Sequence, residues 1–247
     1  MKFSYSAVWD ETVRLLRAHA PLIAAIAGVF IFLPALLIAY ALPQQPVADA
    51  SQTVPALVEY LSRNWLWLLL QSLINSLGTI AILTLVFGRP GTSVGAAIGS
   101  AAALLPFYFL ASILVGLILS LGFLLLIVPA FYLFGRLAPL GPVIVAEDRR
   151  NPIEAIRRTF EVTRGHGWAV LGLILLVAIP GAIAMGVINV LLGIVFSLVA
   201  SREIAAFLVM IATSLSAAVL TVVLILLYAA VYRALGQHSE ATAATFD

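Results

Sequence analysis

The residues of this sequence best suited to binding chemistry are arginines, and five of them lie within residues 147–168. A lysine or arginine beside a membrane attracts anionic lipid headgroups by about 1 kcal/mol. Arg157, Arg158 and Arg164 are therefore candidate lipid contacts. The alternative is that these charges only set the orientation of the chain across a membrane. The two roles are compatible.

Arg136 differs from these residues because it lies in an apolar stretch, about ten residues and about 15 Å of helix from the nearest charge of that cluster. A membrane-embedded arginine costs at least about 2.5–3.5 kcal/mol and is a functional candidate. One interpretation is an anion or lipid-phosphate contact inside a helix bundle. The other, which the sequence favours, is that Arg136 satisfies carbonyls of a helix broken near Pro139, or extends its charge to the membrane surface.

Other chemistry is not indicated. The chain has no cysteine, its histidines (His19, His166 and His238) lack metal-ligand spacing, and no acid/base pair or activated nucleophile is evident. We therefore predict no metal, no cofactor and no enzymatic activity. A net charge of +2 does not indicate nucleic-acid binding. Asn75 and Asn189 are predicted to form interhelical hydrogen bonds.

The composition predicts an all-α integral membrane protein. Hydrophobic residues make up 63% of the chain and charged residues 10%, against about 45–50% and about 25% in soluble domains. A chain like this cannot cover its surface with polar groups.

One helix is well specified by local signals. In the segment 151–165, Asn151 is a suitable N-cap, Pro152 suits the first helical position, and Glu154 completes a capping box. Gly165 is a natural stop. An apolar stripe predicts an interfacial helix and consists of Ile153, Ile156 and Phe160.

Six spans in one membrane domain are predicted from hydropathy and from the requirement that the arginines of residues 147–168 lie on the inner side of the membrane. Residues 20–42 are too long for the apolar core of a signal peptide, so we expect the first span to be retained. The region from Pro90 to Glu147, in which Arg136 is the one charge before Glu147, has room for an interfacial helix and two spans, with a turn at residues 120–122. The predicted spans are 20–42, 65–87, 104–120, 123–146, 168–190 and 205–232.

Each pair of spans is preceded by a predicted interfacial helix, at 4–19, 92–102 and 151–165. Residues 43–64 and 191–203 are expected at the outer surface. This arrangement places ten basic residues inside, with only Arg63 and Arg202 outside, so the positive-inside rule predicts cytoplasmic N- and C-termini. Residues 12–21 and 159–168 match at Thr, Arg and His with an offset of 147, which hints at repeated units.

Three glycines at intervals of four, Gly91, Gly95 and Gly99, precede the third span. A phosphate-binding loop would need a lysine followed by Ser or Thr, and none is present there. We therefore predict close helix packing by these small residues.

Residues 124–168 resemble the YciC-like bacterial inner-membrane proteins and are similar to the non-catalytic membrane domain attached to some glycerophosphodiester phosphodiesterases. The matching features are Pro129, Arg136, Glu147, the Asn-Pro-x-x-Ala helix start at Asn151, and the Thr-Arg-Gly that ends at Gly165.

This resemblance implies a membrane module of the bacterial cell envelope and transfers no activity. Ala130 stands where the family pattern has a glycine, a departure that affects the bend after Pro129.

These observations lead to two functional hypotheses. The first is a non-enzymatic inner-membrane protein that acts through contacts with lipids, anionic on the cytoplasmic side, or with a membrane-protein partner or further copies of itself. The alternative is a small transporter or lipid-handling protein with an intramembrane anion site at Arg136.

Overall fold

The chain folds into helices throughout the part that the structure describes. The structure is a computed structural model that describes residues 3–42, 53–89 and 91–243. Ten residues of the predicted outer segment 43–64, from 43 to 52, therefore lie outside the described residues, as does Lys2. The elements are α1 Tyr5–Ala27, a π-helical turn Gly28–Phe32, α2 Leu33–Ala41, α3 Thr53–Phe87, α4 Val94–Leu125, α5 Ile127–Leu137, α6 Leu140–Ala146, α7 Pro152–Val162, α8 Gly167–Val199 and α9 Arg202–Ala243.

Six of these helical segments are long and apolar enough to cross a membrane, as the sequence predicts. α1, the π-helical turn and α2 follow one another without a break and together form the first segment. α5 and α6 together form the fourth segment. The segments are Tyr5–Ala41, Pro55–Phe87, Val94–Leu125, Ile127–Ala146, Gly167–Val199 and Arg202–Gly236. The protein is an all-α, multi-pass membrane protein.

The spans pack in chain order and close on themselves. The sequence of contacts runs from α1 to α3, α4, α5, α8 and α9, and α9 packs again on α1. Three consecutive helical pairs therefore form a ring. The short helix α6 is nearly all buried and packs against α3, α4 and α9, while α7 packs on α4, α5 and α6.

One end of this ring gathers the charged residues, and we call it the basic end. Arg233, ten residues before the end of α9, contacts both Glu11 near the start of α1 and the carbonyl of Val86 at the end of α3, so these parts of the three helices lie together. The arginines at this end are Arg14, Arg17, Arg89, Arg149, Arg150, Arg157, Arg158, Arg164 and Arg233.

The core lies in the half of the ring nearest the basic end. Towards the opposite end the packing loosens, and no residue of α8 from 175 to 199 is buried. The largest fully buried side chains are Ile23, Ile26, Ile80, Ile82, Leu83, Ile144, Leu173, Leu226, Leu227, Val8, Val143 and Val170.

Two of the predicted interfacial helices are not separate elements. Residues 4–19 form the first part of α1, and residues 92–102 are continuous with the third span in α4. The helix continues through Pro21 in the first case and through Pro106 in the second, since prolines are tolerated in membrane helices where neighbouring groups compensate. The helix predicted at 151–165 does exist separately as α7, because Gly165 adopts a positive φ of 78° between α7 and α8.

The predicted turn at residues 120–122 is also wrong. α4 continues to Leu125, and the chain turns at Leu126, which is extended. Gly122 is helical and has a packing role, because a Cβ added there would lie 3.3 Å from the methyl of Ala130. Likewise most of the segment 191–203 is the last part of α8, which runs to Val199.

The weak internal match has a structural counterpart. Thr12 and Thr159, which are 147 residues apart, are both buried, and each hydroxyl donates to a carbonyl four residues earlier. Leu15 and Val162, three residues further on, are also both buried. α1 and α7 thus place equivalent positions against the core.

Candidate functional site

The residues that the sequence singles out converge around α7. Its N-cap and its first residue are as predicted, but Glu154 bonds the side chain of Asn151 and not the backbone N–H that a capping box would use. The side-chain oxygen of Asn151 accepts from the backbone N–H of Ile153 at 3.0 Å, and its amide donates to Glu154 at 3.2 Å. Pro152 occupies the first helical position. The Asn151 oxygen satisfies backbone donors that the first turn of a helix leaves unpaired.

The face that α7 buries differs from the predicted stripe. The buried residues are Ala155, Thr159 and Val162, whereas Ile153 is 71% exposed and Ile156 and Phe160 are half-buried. The small side chains of Ala155 and Thr159 permit a closer approach to the neighbouring helices than the stripe would.

Glu147, at the end of α6, is the centre of a polar cluster. Its carboxylate accepts from Arg158 Nε of α7 at 2.9 Å, from Arg149 Nη2 at 2.9 Å and from the Tyr232 hydroxyl of α9 at 3.0 Å. The side chain of Glu147 is 17% exposed and that of Arg158 is 23% exposed. One carboxylate thus joins three elements of the basic end.

Glu147 and Arg158 each stabilise the charged form of the other. Burial by itself raises the pKa of Glu147, but the hydrogen bonds from Arg158, Tyr232 and Arg149 outweigh it and hold that pKa below its ordinary value. The hydrogen bond to Glu147 likewise raises the pKa of Arg158. Glu147 and Arg158 are therefore both charged at neutral pH.

Arg136 is half-buried, and its contacts are internal to the protein. Its Nη2 donates to the carbonyl of Phe160, and its Nε donates to the Thr163 hydroxyl at 3.4 Å. Its guanidinium also lies 4.7 Å from the centre of the Phe160 ring and 5.8 Å from that of Tyr132. A cation here meets the free carbonyls and the negative dipole end of α7.

Close backbone packing holds Arg136 in this place. A Cβ added to Gly135 would overlap the carbonyl of Gly167, and one added to Gly167 would lie 2.7 Å from Cγ of Arg136. The two glycines let α5 and the start of α8 approach each other, which positions Arg136 beneath the end of α7.

A second arginine repeats this arrangement. Arg233 donates to the carbonyl of Val86 at 2.6 Å, at the end of α3, and lies 5.2 Å from the ring centre of Phe87. It also pairs with Glu11 at 2.8 Å. Because Tyr232 contacts Glu147, the consecutive residues Tyr232 and Arg233 connect α9 to α1, α3 and α6.

The sequence did not single out Glu11, Tyr232 or Arg233. A signal was present, since Glu11 precedes the first span and Arg233 follows the last, and with an even number of spans these positions share one membrane boundary. The sequence does not show that they touch.

The structure divides the four arginines predicted to contact a ligand or lipid. Arg136 and Arg158 point their charges at the protein. Arg157 is 84% exposed and pairs only at 3.3 Å with Glu161, and Arg164 is exposed with no ion pair among the described residues. Trp168, in the first turn of α8, is also exposed.

Ile153, Arg157, Arg164 and Trp168 are thus exposed on α7 and in the segment that follows it, and we call these four residues the α7 surface. It combines two guanidinium groups with two apolar side chains, the pattern of a helix that lies at a membrane interface. Within the described residues, no three His, Cys, Asp or Glu side chains come together where a metal ion could bind.

The predicted close packing of Gly91, Gly95 and Gly99 is wrong within this chain. A Cβ added to any of the three would meet no atom within 4 Å. The buried small residues of α4 are Ala97 and Ala101, on another face, because the neighbouring helices lie on that side. Gly91 instead supplies a positive φ of 87° in the turn before α4.

The two predicted polar contacts differ. Asn189 of α8 accepts from the Ser216 hydroxyl of α9 at 3.2 Å, so the predicted interhelical hydrogen bond is confirmed. The buried side-chain oxygen of Asn75 has no hydrogen-bond partner in the described part of the chain.

The fold and this site define a multi-pass α-helical membrane protein with a charged, internally bonded end. Comparison with protein-family models, with curated proteins and with solved structures found no match to this chain. The resemblance of residues 124–168 to the YciC-like proteins accordingly stays a prediction.

Proposed function

We propose that this is a non-enzymatic membrane protein that acts through contacts with lipids and with other membrane proteins, and that its α7 surface binds anionic lipid headgroups. The observation that carries this proposal is the exposure of Arg157, Arg164, Ile153 and Trp168, all within 16 residues of sequence. Each arginine near an anionic surface contributes about 1 kcal/mol, and the two apolar side chains gain by entering the interface.

We further propose that the protein lies in a bacterial inner membrane, with its basic end and both termini in the cytoplasm. Nine described arginines lie at the basic end, whereas Arg63 and Arg202 lie at the opposite end. This asymmetry supports the proposed orientation under the positive-inside rule, and the resemblance to YciC-like proteins supports the proposed compartment.

The absence of enzymatic activity is part of the proposal. At the basic end, Glu11 and Glu147 are both held in ion pairs with arginines. A carboxylate that accepts several hydrogen bonds from cations is a poor general base, because its pKa lies far below neutral pH. No observation favours an anion site at Arg136, which is half-buried and donates to the Phe160 carbonyl and to the Thr163 hydroxyl.

Contacts with membrane proteins or further copies of the chain are proposed for the loosely packed half. Residues 175–199 of α8 have no buried member and are almost wholly apolar, which leaves a surface that lipid chains or other helices cover.

Native mass spectrometry of the reconstituted protein in lipid nanodiscs tests the lipid contact. The nanodiscs contain equal amounts of phosphatidylglycerol and phosphatidylcholine with matched acyl chains. Arg157→Gln with Arg164→Gln is compared with the matched pair Arg63→Gln and Arg202→Gln at the opposite end. We expect the α7 pair to reduce retained phosphatidylglycerol by about 5-fold per arginine, from about 1 kcal/mol each.

The control pair should leave retention as in the wild type. Equal effects of the two pairs, or no effect of either, would refute the assignment of the headgroup contact to α7.

A further inference from the structure

A second exposed surface lies on α1, on the side that faces away from the bundle. A shallow depression, open to the outside, lies there between side chains of α1, and it is lined by Trp9, Asp10, Val13, Arg14, Arg17 and Ala18. The opposite face of α1 is buried in the core through Val8, Thr12 and Leu15. The depression is therefore open to whatever surrounds the protein at this level.

The charges around the depression have both signs. Arg14 is held in place by Glu11, to which its Nε donates at 2.7 Å, and Glu11 is in turn held by Arg233. Asp10 and Arg17 are exposed and form no ion pair among the described residues. Arg17 and Asp10 are thus available to a ligand, and Arg14 adds the donors that do not meet Glu11.

These charges follow an order along the helix axis. Asp10 is nearest the start of α1, Arg14 lies about 6 Å further along, and Arg17 about 4.5 Å beyond that, at 1.5 Å per residue. Arg233 contacts both Glu11 and the Val86 carbonyl. Asp10, which is next to Glu11, therefore lies at about the same height along the bundle as the end of α3. Going from water towards the apolar span, a negative group therefore comes first and two positive groups follow.

We propose that this depression binds the phosphoethanolamine headgroup of a membrane lipid. Such a headgroup carries a primary ammonium on its watery side and a phosphate nearer the acyl chains, the reverse order of charges to that of α1. The phosphate meets Arg14 and Arg17, and the ammonium meets Asp10, with Trp9 beside it as an aromatic partner for the cation. The acyl chains continue past Ala18 along the apolar part of the helix.

Headgroup chemistry makes the site selective. A phosphatidylglycerol headgroup has no cation to offer Asp10, and a choline has no N–H to donate to its carboxylate. The proposal uses only the membrane class of the protein and the geometry of α1, so it does not depend on lipid binding at the α7 surface.

The test uses the full chain in nanodiscs that contain equal amounts of phosphatidylethanolamine, phosphatidylglycerol and phosphatidylcholine with acyl chains of distinguishable mass. Retained lipid is counted by native mass spectrometry. We expect the wild type to retain phosphatidylethanolamine preferentially. Asp10→Asn should reduce the ratio of phosphatidylethanolamine to phosphatidylglycerol by about 2-fold to 5-fold, the range of an exposed ion pair, whereas Arg17→Gln should reduce retention of both lipids.

The matched control is Asp148→Asn, another exposed aspartate at the basic end. It should leave the ratio unchanged. An unchanged ratio in Asp10→Asn, or an equal change in Asp148→Asn, would overturn the proposal.

Two further arms separate the possible sources and sites. Free phosphoethanolamine at millimolar concentration should not displace the lipid, and displacement would mean that the soluble headgroup is the ligand. Arg157→Gln with Arg164→Gln should leave the phosphatidylethanolamine preference intact, and loss of that preference in this variant would place the selectivity on α7 and refute the α1 site.

Discussion

Replacing Glu147 with glutamine removes the charge that joins α6, α7 and α9 while conserving the shape of the side chain. The main loss is the ionic hydrogen bond from Arg158, which is only 23% exposed, and such bonds contribute about 1.5–3 kcal/mol. The pair with Arg149 adds less than about 1 kcal/mol because Arg149 is more than one-third exposed. The Tyr232 hydroxyl can still donate to the amide oxygen. We expect the free energy of unfolding to fall by about 2–3 kcal/mol.

The same residue gives a pH dependence with a defined sign. The pKa of Glu147 is lowered in the folded state from its ordinary value of 4.5. The stability it contributes is therefore fully present above that value and is lost as the pH falls through the lower, folded-state pKa. The wild type should lose stability below about pH 4.5, and Glu147→Gln should lack this component.

Equilibrium unfolding in mixed micelles, followed by circular dichroism between pH 3.5 and 7, measures both effects. The control is Asp148→Asn, whose ion pair with Arg150 is exposed and 3.4 Å long and whose φ of 45° suits asparagine. It should cost less than about 1 kcal/mol. If Glu147→Gln cost no more than this control, or kept the acid dependence of the wild type, the stabilising role of the cluster would be refuted.

Two other substitutions test the packing around Arg136. Gly135→Ala should destabilise the protein by at least about 1–3 kcal/mol, because the added Cβ overlaps the carbonyl of Gly167. The control is Gly186→Ala on α8, where a Cβ meets no atom within 4 Å, and it should be neutral or stabilising by up to about 1 kcal/mol. Similar unfolding midpoints for both variants would contradict the close approach of α5 and α8. Arg136→Met should expose the segment after Phe160 to limited proteolysis, because it removes the cation that satisfies the end of α7, and an unchanged cleavage pattern would show that this contact is unimportant.

The secondary structure of α7 is predictable because its signals are local. Asn151 caps backbone donors two and three residues later, and Pro152 has the φ of a first helical residue. Gly165 supplies a conformation that few other residues adopt. The direction in which α7 faces is not predictable in this way. Ile153 is apolar but exposed, because in a membrane protein an apolar side chain is stable both in the core and at the lipid boundary.

The wrong prediction for the glycines of α4 has a similar cause, because the sequence does not show which face of a membrane helix meets its neighbours. Gly95 and Gly99 have the spacing of a helix-packing motif, but the neighbouring helices lie on the side of Ala97 and Ala101. Small residues permit close approach without requiring it. The turn at Leu126 lies in an apolar run without a charge, but Pro129, in the first turn of α5, was a signal for this boundary.

By itself the sequence determined the class of this protein, because apolar runs of span length and the asymmetric arginines admit few arrangements other than a multi-pass helical membrane protein. It also located the charged segment 147–168. Only the tertiary structure decided which charged side chains pair with other groups of the protein. Glu147 meets Tyr232 across 85 residues and Glu11 meets Arg233 across 222, and contacts between such distant residues depend on how the helices pack, which no local pattern encodes.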